Sequence, residues 1–329
     1  FPKEIKEIED NAFAGCVNLS DITLPEGLVS IGNSAFYDCS LEGQLRLPEG
    51  LVSIGSSAFS NTGISGDLII PDSVTSIGEN AFYYCSSLDG VLKLSNSLTT
   101  IPSQAFFGCR NLKGDLIIPE GVTSIGKSAF EDCSGFDGHI SLPSSLASIG
   151  EEAFRECSNI VGELSIPDKI TGGGSNTFYG MESITSIVFG TGFRSHGYYT
   201  FSECYGVEEV TFKSETPPNI TSGYYNPFIY MNHLKNVYVP LESFTKYAEV
   251  YGGWIPSSAR LKVIEDTDDF LIEEGVLIAY FGDEKEVTIP SGIVEIGSSA
   301  FRGNSKIEKI VFPKEIKEIE DNAFAGCVN

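Results

Sequence analysis

The sequence lacks most of the groups on which catalysis and metal binding depend. Only three histidines, His139, His196 and His233, occur in 329 residues, and none has a cysteine or carboxylate at the spacing of a metal site. No phosphate-binding P-loop, GxSxG nucleophile motif or zinc-binding HExxH motif is present. The sequence therefore predicts no metal, no cofactor and no enzymatic activity.

Positive charge is also scarce. The chain carries 21 basic and 45 acidic residues, a net charge of −24, so its field repels nucleic acids and anionic lipid surfaces. No apolar run approaches the roughly 20 residues that span a bilayer, and no signal-peptide pattern is present. We expect neither a nucleic-acid partner nor membrane insertion.

What the sequence does contain is a repeat. From Phe13 onward, a phenylalanine that usually follows alanine recurs in steps of 23 or 24 residues. The positions are Phe13, Phe36, Phe59, Phe82, Phe106, Phe130, Phe154, Phe178 and Phe201. A fixed period of this size is typical of a solenoid, in which each repeat buries its apolar face against its neighbours.

One repeat, "PEGLVSIGSSAFSNTGISGDLII" at 48–70, shows how each coil is built. Leu68 and Ile70 alternate with outward-facing residues, which predicts a half-buried strand that the next proline, Pro71, ends. Gly55, after the "SI" pair, is interpreted as the residue that permits a tight turn. We expect the strands to stack into one long parallel sheet.

The pattern "LPEGLVSIGxSAFxxCxxL" closely resembles the BspA-like leucine-rich repeat family over almost the whole chain. The resemblance implies a leucine-rich-repeat solenoid of right-handed 23–24-residue coils. Its concave face would carry the parallel β-sheet, and its convex face short turns and helical segments. A β-hairpin would open the array and a short helix would close it. Members of the family are typically secreted or displayed on cell surfaces, and their characterised roles are in adhesion.

The organisation changes along the chain. We predict a repeat array at 1–212, an irregular last repeat and closing cap at 213–265, a hairpin at 266–289 and further repeats at 290–329. In the cap, Phe244, Tyr247, Ala248 and Tyr251 have the spacing of a short amphipathic helix. In the hairpin segment, "EEG" and "FGDEK" are turn signals between alternating strands.

Residues 312–329 repeat residues 1–18 without a difference, "FPKEIKEIEDNAFAGCVN". The hairpin resembles an opening cap, yet it follows the closing cap. We therefore expect the unit to be the 311-residue period, in a chain that is either cut from tandem solenoids or written out of its natural order. Uncapped coils at the two ends would favour association.

Seven of the eight cysteines lie three residues after a repeat phenylalanine, and Cys327 duplicates Cys16. Thr62 and Met181 occupy the same column, so we predict free thiols in a small buried slot. The spacing of neighbouring coils leaves disulfides possible.

Two surface features are candidate binding sites for a protein or a glycan. The first is the outward column of the predicted sheet, and the second is the tyrosine-rich end, since ten of the fourteen tyrosines lie at 179–251. The sheet candidates are Asp21, Gln44, Arg46, Asp67, Lys93, Asp115, His139, Glu163 and Glu209. The tyrosine candidates are Tyr198, Tyr199, Tyr224 and Tyr225. The charges could equally be a solvated face, and the rings could fill gaps between irregular repeats.

From the sequence we expect a non-enzymatic, adhesin-like extracellular scaffold, whose export signal would lie outside this sequence. The alternative is a structural spacer at the cell surface without a ligand of its own. A glycoside hydrolase is less favoured, because it needs two carboxyl groups about 5–10 Å apart in a pocket.

Overall fold

The structure, a computed structural model, describes residues 1–220, 226–256, 258–264 and 269–327. It is a solenoid of short parallel strands that recur about 23 residues apart, with very little helix. The chain divides into two compact units, Phe1–Val207 with Pro218–Met231, and Glu208–Pro217 with Asn232–Asn329. Within the described ranges, no helix has both the length and the apolar character that a membrane span requires.

The strands are numbered in chain order. The first half comprises β1 (Glu7–Ile8), β2 (Ser30–Ile31), β3 (Glu42–Gln44), β4 (Ser53–Ile54), β5 (Gly63–Ser65), β6 (Leu68–Ile69), β7 (Ser76–Ile77), β8 (Leu92–Lys93), β9 (Thr100–Ile101), β10 (Leu116–Ile117), β11 (Ser124–Ile125), β12 (Ile140–Ser141) and β13 (Ser148–Ile149). The second half comprises β14 (Gly162–Ile166), β15 (Ile184–Phe189), β16 (Ser195–His196), β17 (Glu209–Phe212), β18 (Asn219–Ile220), β19 (Asn236–Val239), β20 (Arg260–Val263), β21 (Phe270–Glu273), β22 (Val276–Tyr280), β23 (Glu286–Thr288), β24 (Glu295–Ile296), β25 (Lys309–Val311) and β26 (Glu318–Ile319).

The first unit contains two strand ladders where the sequence predicted one sheet. The first ladder is formed by the "SI" pairs, as in β1-β2-β4-β7 and β9-β11-β13. The second ladder is formed by the predicted strands, as in β6-β8, β10-β12 and β14-β15. All of these pairs are parallel. Equivalent residues pair from coil to coil, for example Ile31 with Ile54, except for a register shift between Gly162 and Glu163 of β14. The predicted parallel strands are present as the second ladder. The first ladder was not predicted, because two residues between a turn and a glycine give too short a pattern to be recognised as a strand.

The phenylalanine column forms a third ladder of hydrogen bonds. In the coil of Phe59, the flanking residues Ser57 and Asn61 take left-handed φ values of 55° and 57°. The backbone N–H groups of these three residues then all donate to carbonyls of the next coil, at 2.8 Å in each case. The rings of successive coils stack with centroids 5.2–5.6 Å apart. Each coil therefore satisfies its backbone by hydrogen bonding to its neighbours.

The cysteine column is free of disulfides, as predicted. All eight cysteines are free, and the six from Cys39 to Cys204 are buried, whereas Cys16 and Cys327 are partly exposed. Each buried thiol approaches a phenylalanine carbonyl of the preceding coil, as Cys133 Sγ does to Phe106 at 3.0 Å. Thr62 takes the same slot, where it is buried and its hydroxyl donates to the Phe59 carbonyl at 2.8 Å.

The glycines after the "SI" pairs do not serve the turn role that the sequence indicated. Gly78 does not have a positive φ. Instead, a Cβ atom there would lie 2.2 Å from the backbone nitrogen of Ser56 in the preceding coil. The column therefore selects glycine because two backbones approach closely, rather than because the chain reverses.

The second unit begins with the parallel strands β17-β19-β20 and the closing helix. A 3₁₀ turn, Leu241–Ser243, leads into the helix α1, Phe244–Tyr251, as predicted. Tyr247 and Tyr251 are fully buried, and the Tyr251 ring stacks on Phe212 at 5.5 Å. These tyrosines are part of the cap's core, because a closing cap must cover the open end of the apolar column.

The predicted hairpin is present in the same unit. Strands β21 and β22 pair antiparallel, and Glu274 and Gly275 take φ values of 49° and 85° at the turn between them. Strand β22 then starts a new parallel ladder, β22-β24-β26, as an opening cap does. Arg302, after the next repeat phenylalanine, donates to the carbonyls of Gly252 and Ile255 at the end of α1. Residues 269–327 therefore belong to the same unit as the closing cap.

Candidate functional site

The outward residues of the second ladder form the predicted column in the first unit. At β6, Leu68 and the next inward residue, Ile70, are buried at 0% and 1% exposure, while Ile69 between them is 38% exposed. This alternation follows from the period of two of a strand that is buried on one face only. We define the second-ladder face as the outward residues of β3, β6, β8, β10, β12 and β14, together with Asp67, Val91, Asp115 and His139, which immediately precede β6, β8, β10 and β12. Its exposed members among the candidates are Gln44, Lys93, Asp115, His139 and Glu163.

The remaining sheet candidates are less uniform. Asp21 and Arg46 are exposed beside this face, and Asp67 is half-buried. Glu209 is half-buried in the second unit, where it accepts hydrogen bonds from Asn236 and Tyr238 at 3.2 and 3.3 Å. Within the first unit the predicted column is therefore one surface, whereas Glu209 belongs to the second unit.

Two aspartates of the face hold neighbouring coils together. Asp67 Oδ1 accepts a hydrogen bond from the backbone N–H of Val91 at 2.9 Å, and Asp115 Oδ1 accepts one from His139 at 2.7 Å. Gly90 is required beside Asp67, since a Cβ there would lie 2.2 Å from the same oxygen. These carboxylates contribute to the stacking of the coils, in addition to any role at the surface.

Apolar side chains lie among the polar ones on this face. Ile69, Val91 and Ile117 are 38%, 47% and 59% exposed, and the register places Lys93 next to Ile69. The sequence candidates on this face were the polar and charged residues, and these three residues add exposed apolar area beside them. The combination of apolar area with flanking charges is typical of surfaces that bind partners.

The tyrosine-rich end divides into exposed and buried rings. Tyr198 and Tyr199 are 54% and 48% exposed, whereas Tyr247 and Tyr251 have no exposure. Tyr224 and Tyr225 lie outside the described residues. Tyr205 contacts the ring of Tyr230 edge-on at 6.3 Å. Exposed tyrosine candidates are therefore present in the first unit, while the helix tyrosines serve the cap.

A further polar cluster follows the phenylalanine column and was missed by the sequence analysis. Arg155 pairs with Glu131 at 2.7 Å, and its guanidinium lies 5.4 Å from the centroid of the Tyr179 ring. The Tyr179 hydroxyl donates to Glu203, and this bond with burial and the nearby charge raises the pKa of the tyrosine to about 12. The sequence did contain a signal for this cluster, because all four residues lie one or two positions after a repeat phenylalanine. The cluster links consecutive coils.

Two of the histidines lie in contrasting surroundings. His139 Nδ1 lies 3.7 Å from Asp115 Oδ1, and both side chains are well exposed. His196 takes the isoleucine position of its coil and is buried against Phe189 and Phe193, and burial lowers its pKa to about 3. Among the described residues, no three His, Cys, Asp or Glu side chains are grouped so that they could hold a metal ion.

Comparison with known proteins agrees with the coil geometry. The model of the BspA type leucine-rich repeat region matches residues 3–137, 138–249 and 280–329. A search of curated proteins found no match. A leucine-rich repeat protein from Bacteroides ovatus is 27% identical with a TM-score of 0.60, over 100% of this chain and 76% of that protein.

Two further solved structures are more distant. The pneumococcal vaccine antigen PcpA is 20% identical with a TM-score of 0.42, over 80% of this chain and 78% of that protein. A leucine-rich cell surface protein from Faecalibacterium prausnitzii is 19% identical with a TM-score of 0.33, over 94% of this chain and 83% of that protein. None of these matches indicates a catalytic family.

Proposed function

The chain belongs to the BspA-type leucine-rich repeat family, and we propose that it is a non-enzymatic, adhesin-like scaffold that binds a protein or glycan outside the cell. The observation that carries the proposal is the second-ladder face. Its side chains repeat at the strand spacing of about 4.8 Å, on a backbone that hydrogen bonds hold from coil to coil. A rigid surface of this kind loses little conformational entropy on binding.

The mixed chemistry of the face supports binding over mere solvation. Ile69, Val91 and Ile117 offer apolar area that a ligand can cover, and Lys93 and His139 offer donors beside it. Apolar contact supplies affinity, while flanking polar groups fix the orientation of the ligand. The exposed rings of Tyr198 and Tyr199 form a second candidate surface, since tyrosine combines apolar area with a polar tip.

The spacer function is supported by a different observation. Asp67 and Asp115 hold neighbouring coils together through backbone N–H groups. If every polar residue of the column served stacking in this way, the face would need no ligand. The spacer function does not account for the exposed side chains of Ile69, Val91 and Ile117. No observation favours a glycoside hydrolase.

The extracellular location rests on membership of the family, whose members are typically secreted or surface-displayed. An adhesin-like protein must meet its ligand outside the cell. The proposal of location is therefore tied to the proposal of binding.

The test is capture of purified proteins and glycans on arrays by the immobilised chain. Ile117→Asp changes the centre of the second-ladder face, and Val52→Asp, at a residue 40% exposed beside β4 of the first ladder, is the matched control. We expect captured ligands to be lost with Ile117→Asp and retained with Val52→Asp. Tyr198→Ser tests the second surface in the same assay. Retention of every ligand by both Ile117→Asp and Tyr198→Ser would contradict the proposal, and so would the absence of any captured ligand.

A further inference from the structure

Three aromatic side chains form a cluster beside the phenylalanine ladder of the first unit, and they belong neither to the second-ladder face nor to the tyrosine-rich end. Tyr83 and Tyr84 follow Phe82, and Phe107 takes the position of Tyr83 in the next coil. The rings of Tyr83 and Phe107 stack at 5.0 Å, and the Tyr84 ring meets both of them edge-on, at 4.7 and 5.2 Å. Tyr84 is 39% exposed, and the other two rings are half-buried. We call Tyr83, Tyr84 and Phe107 the aromatic platform.

The backbone of Tyr84 takes a conformation that a tyrosine rarely adopts. Its φ is 54°, in the left-handed region, where a bulky side chain is disfavoured. The same position of other coils also has a positive φ, but there it carries a short polar residue, a glutamate or a glycine. These residues are Asp38, Asn61, Gly108, Asp132, Glu156, Gly180 and Glu203. Strained residues of this kind cluster at functional sites, so backbone preference does not explain the tyrosine at this position.

The next coil leaves room for the Tyr84 ring. A Cβ atom on Gly108 would lie 2.8 Å from Cδ1 of Tyr84, so a side chain there would displace the ring. The Tyr84 N–H donates to the Phe107 carbonyl at 2.7 Å, which fixes the backbone that carries the ring. The platform is therefore held in place before any ligand arrives, and a preorganised surface loses little conformational entropy on binding.

Polar groups lie beside the platform. The Arg110 side chain is 54% exposed, and its Nε donates to Asp132 Oδ2 at 2.6 Å. The hydrogen bond and the charge of Asp132 raise the pKa of Arg110, and the nearby Tyr84 adds a smaller effect in the same direction. An exposed guanidinium thus lies close to an exposed aromatic ring, which places hydrogen-bond donors next to apolar area.

We propose that the aromatic platform binds a pyranose ring of an uncharged glycan. The face of an aromatic ring is negative, so it attracts the slightly positive C–H hydrogens on the apolar side of a sugar ring. The sugar hydroxyls then pair with the Arg110 guanidinium, the Asp132 carboxylate and the Tyr84 phenol. This site is additional to the second-ladder face, because it lies on another ladder of the coil and uses none of the same residues.

Charge and area favour this class of ligand over two others. The net charge of −24 repels sialylated and sulfated glycans, so an uncharged sugar fits the surface better. A stable protein interface buries roughly 800 Å² on each partner, which is far more than three partly buried rings offer. A single sugar ring, in contrast, is small enough to be covered by the platform.

The experiment is calorimetric titration of the full chain with uncharged hexasaccharides of glucose, galactose and mannose. Tyr84→Asn removes the ring and introduces the residue that Asn61 already provides at the same position, with a φ of 57°. We expect at least one hexasaccharide to bind the unchanged chain, and Tyr84→Asn to weaken that binding about tenfold or more, because the exposed ring is lost. The fold should be kept, since asparagine tolerates the left-handed region, and urea unfolding checks this.

Two more variants separate binding from packing. Tyr83→Ser introduces the residue that Ser60 provides at the same position of its coil, and it should weaken binding without altering Tyr84. Tyr37→Ser is the matched control, because Tyr37 follows Phe36, is 41% exposed and contacts no other ring among the described residues. Its affinity for the hexasaccharide should be that of the unchanged chain.

Three results would overturn the proposal. The first is that none of the hexasaccharides binds, and the second is that either folded platform variant keeps the full affinity. The third is that Tyr37→Ser weakens binding as much as Tyr84→Asn does. Tighter binding of a sialylated or sulfated hexasaccharide would contradict the assignment to an uncharged glycan.

Discussion

The reactivity of the cysteine thiols tests whether each coil of the column is packed against its neighbours. The perturbation is exposure of the native protein to a thiol reagent, compared with the same protein in denaturant. Six of the eight thiols are buried, and the two in the duplicated coils, Cys16 and Cys327, are partly exposed. We expect two thiols to react quickly in the native protein and six to react slowly.

The magnitude follows from ionisation and burial together. The thiolate is the reactive form, and burial raises the pKa of Cys85 from 9.0 to about 11 and that of Cys204 to about 12. At a pH well below 9.0, the two-unit rise in pKa lowers the thiolate fraction of Cys85 about a hundredfold, and the three-unit rise lowers that of Cys204 about a thousandfold. Because both side chains have no exposure, local opening of the coil is also required.

The assay is stopped-flow titration with a chromogenic disulfide, without reductant. Denatured protein should give eight equivalents at one rate. Six native thiols that react as fast as the first two would refute the packed column. Fewer than eight equivalents after unfolding would show that some sulfurs are bridged.

Three further predictions concern stability, each measured by urea unfolding. Gly78→Ala should cost about 3 kcal/mol or more, because its Cβ meets backbone at 2.2 Å, whereas Gly253→Ala, with nothing within 4 Å, should be nearly neutral; equal effects would contradict the close-approach explanation. Phe106→Ala should cost about 3–5 kcal/mol, because a fully buried ring between two stacked rings is lost; a cost below about 1 kcal/mol would contradict the stacked column. Arg302→Met should destabilise the second unit by about 1–3 kcal/mol, because two carbonyls after α1 lose their donor, and an unchanged midpoint would contradict that role.

The sequence was sufficient for the parts of the fold that repeat. The phenylalanine, cysteine and proline columns predicted the coil, since each must fill the same slot in the same core. Thr62 and Met181, which replace cysteine in two coils, indicated that the cysteine slot is buried and needs no disulfide, and both residues are buried in it. The helix Phe244–Tyr251 and the hairpin around Glu274 and Gly275 followed from local spacing and turn residues.

What the sequence could not predict are contacts that depend on the distance between coils. The first ladder consists mostly of two-residue strands, which leave no periodicity to detect. Gly78 was assigned to a turn because a close backbone approach and a positive φ both select glycine. The left-handed residues beside Phe59, serine and asparagine, carry too weak a preference to be identified alone.

The candidate site was predictable in position but not in composition. The period of two placed Lys93, His139 and Glu163 outward, and they are exposed. The hydrogen bond of Asp115 to the next coil was not predictable, because it depends on the stacking register. The spacing of Tyr247 and Tyr251 placed them on the apolar side of the cap helix, where both are buried, whereas Tyr198 has no such periodic neighbours and is exposed.

Site-directed photo-cross-linking tests the central claim, binding by the second-ladder face, most directly. Ile117→Cys and Val52→Cys chains, each labelled at the new thiol with a photoreactive group, are irradiated with the ligand identified on the arrays. Both positions are exposed, the partly exposed Cys16 and Cys327 are first replaced by serine, and the six buried cysteines resist labelling. The account predicts a covalent adduct from position 117 and none from position 52. Equal adducts from both positions, or an adduct from position 52 alone, would contradict it.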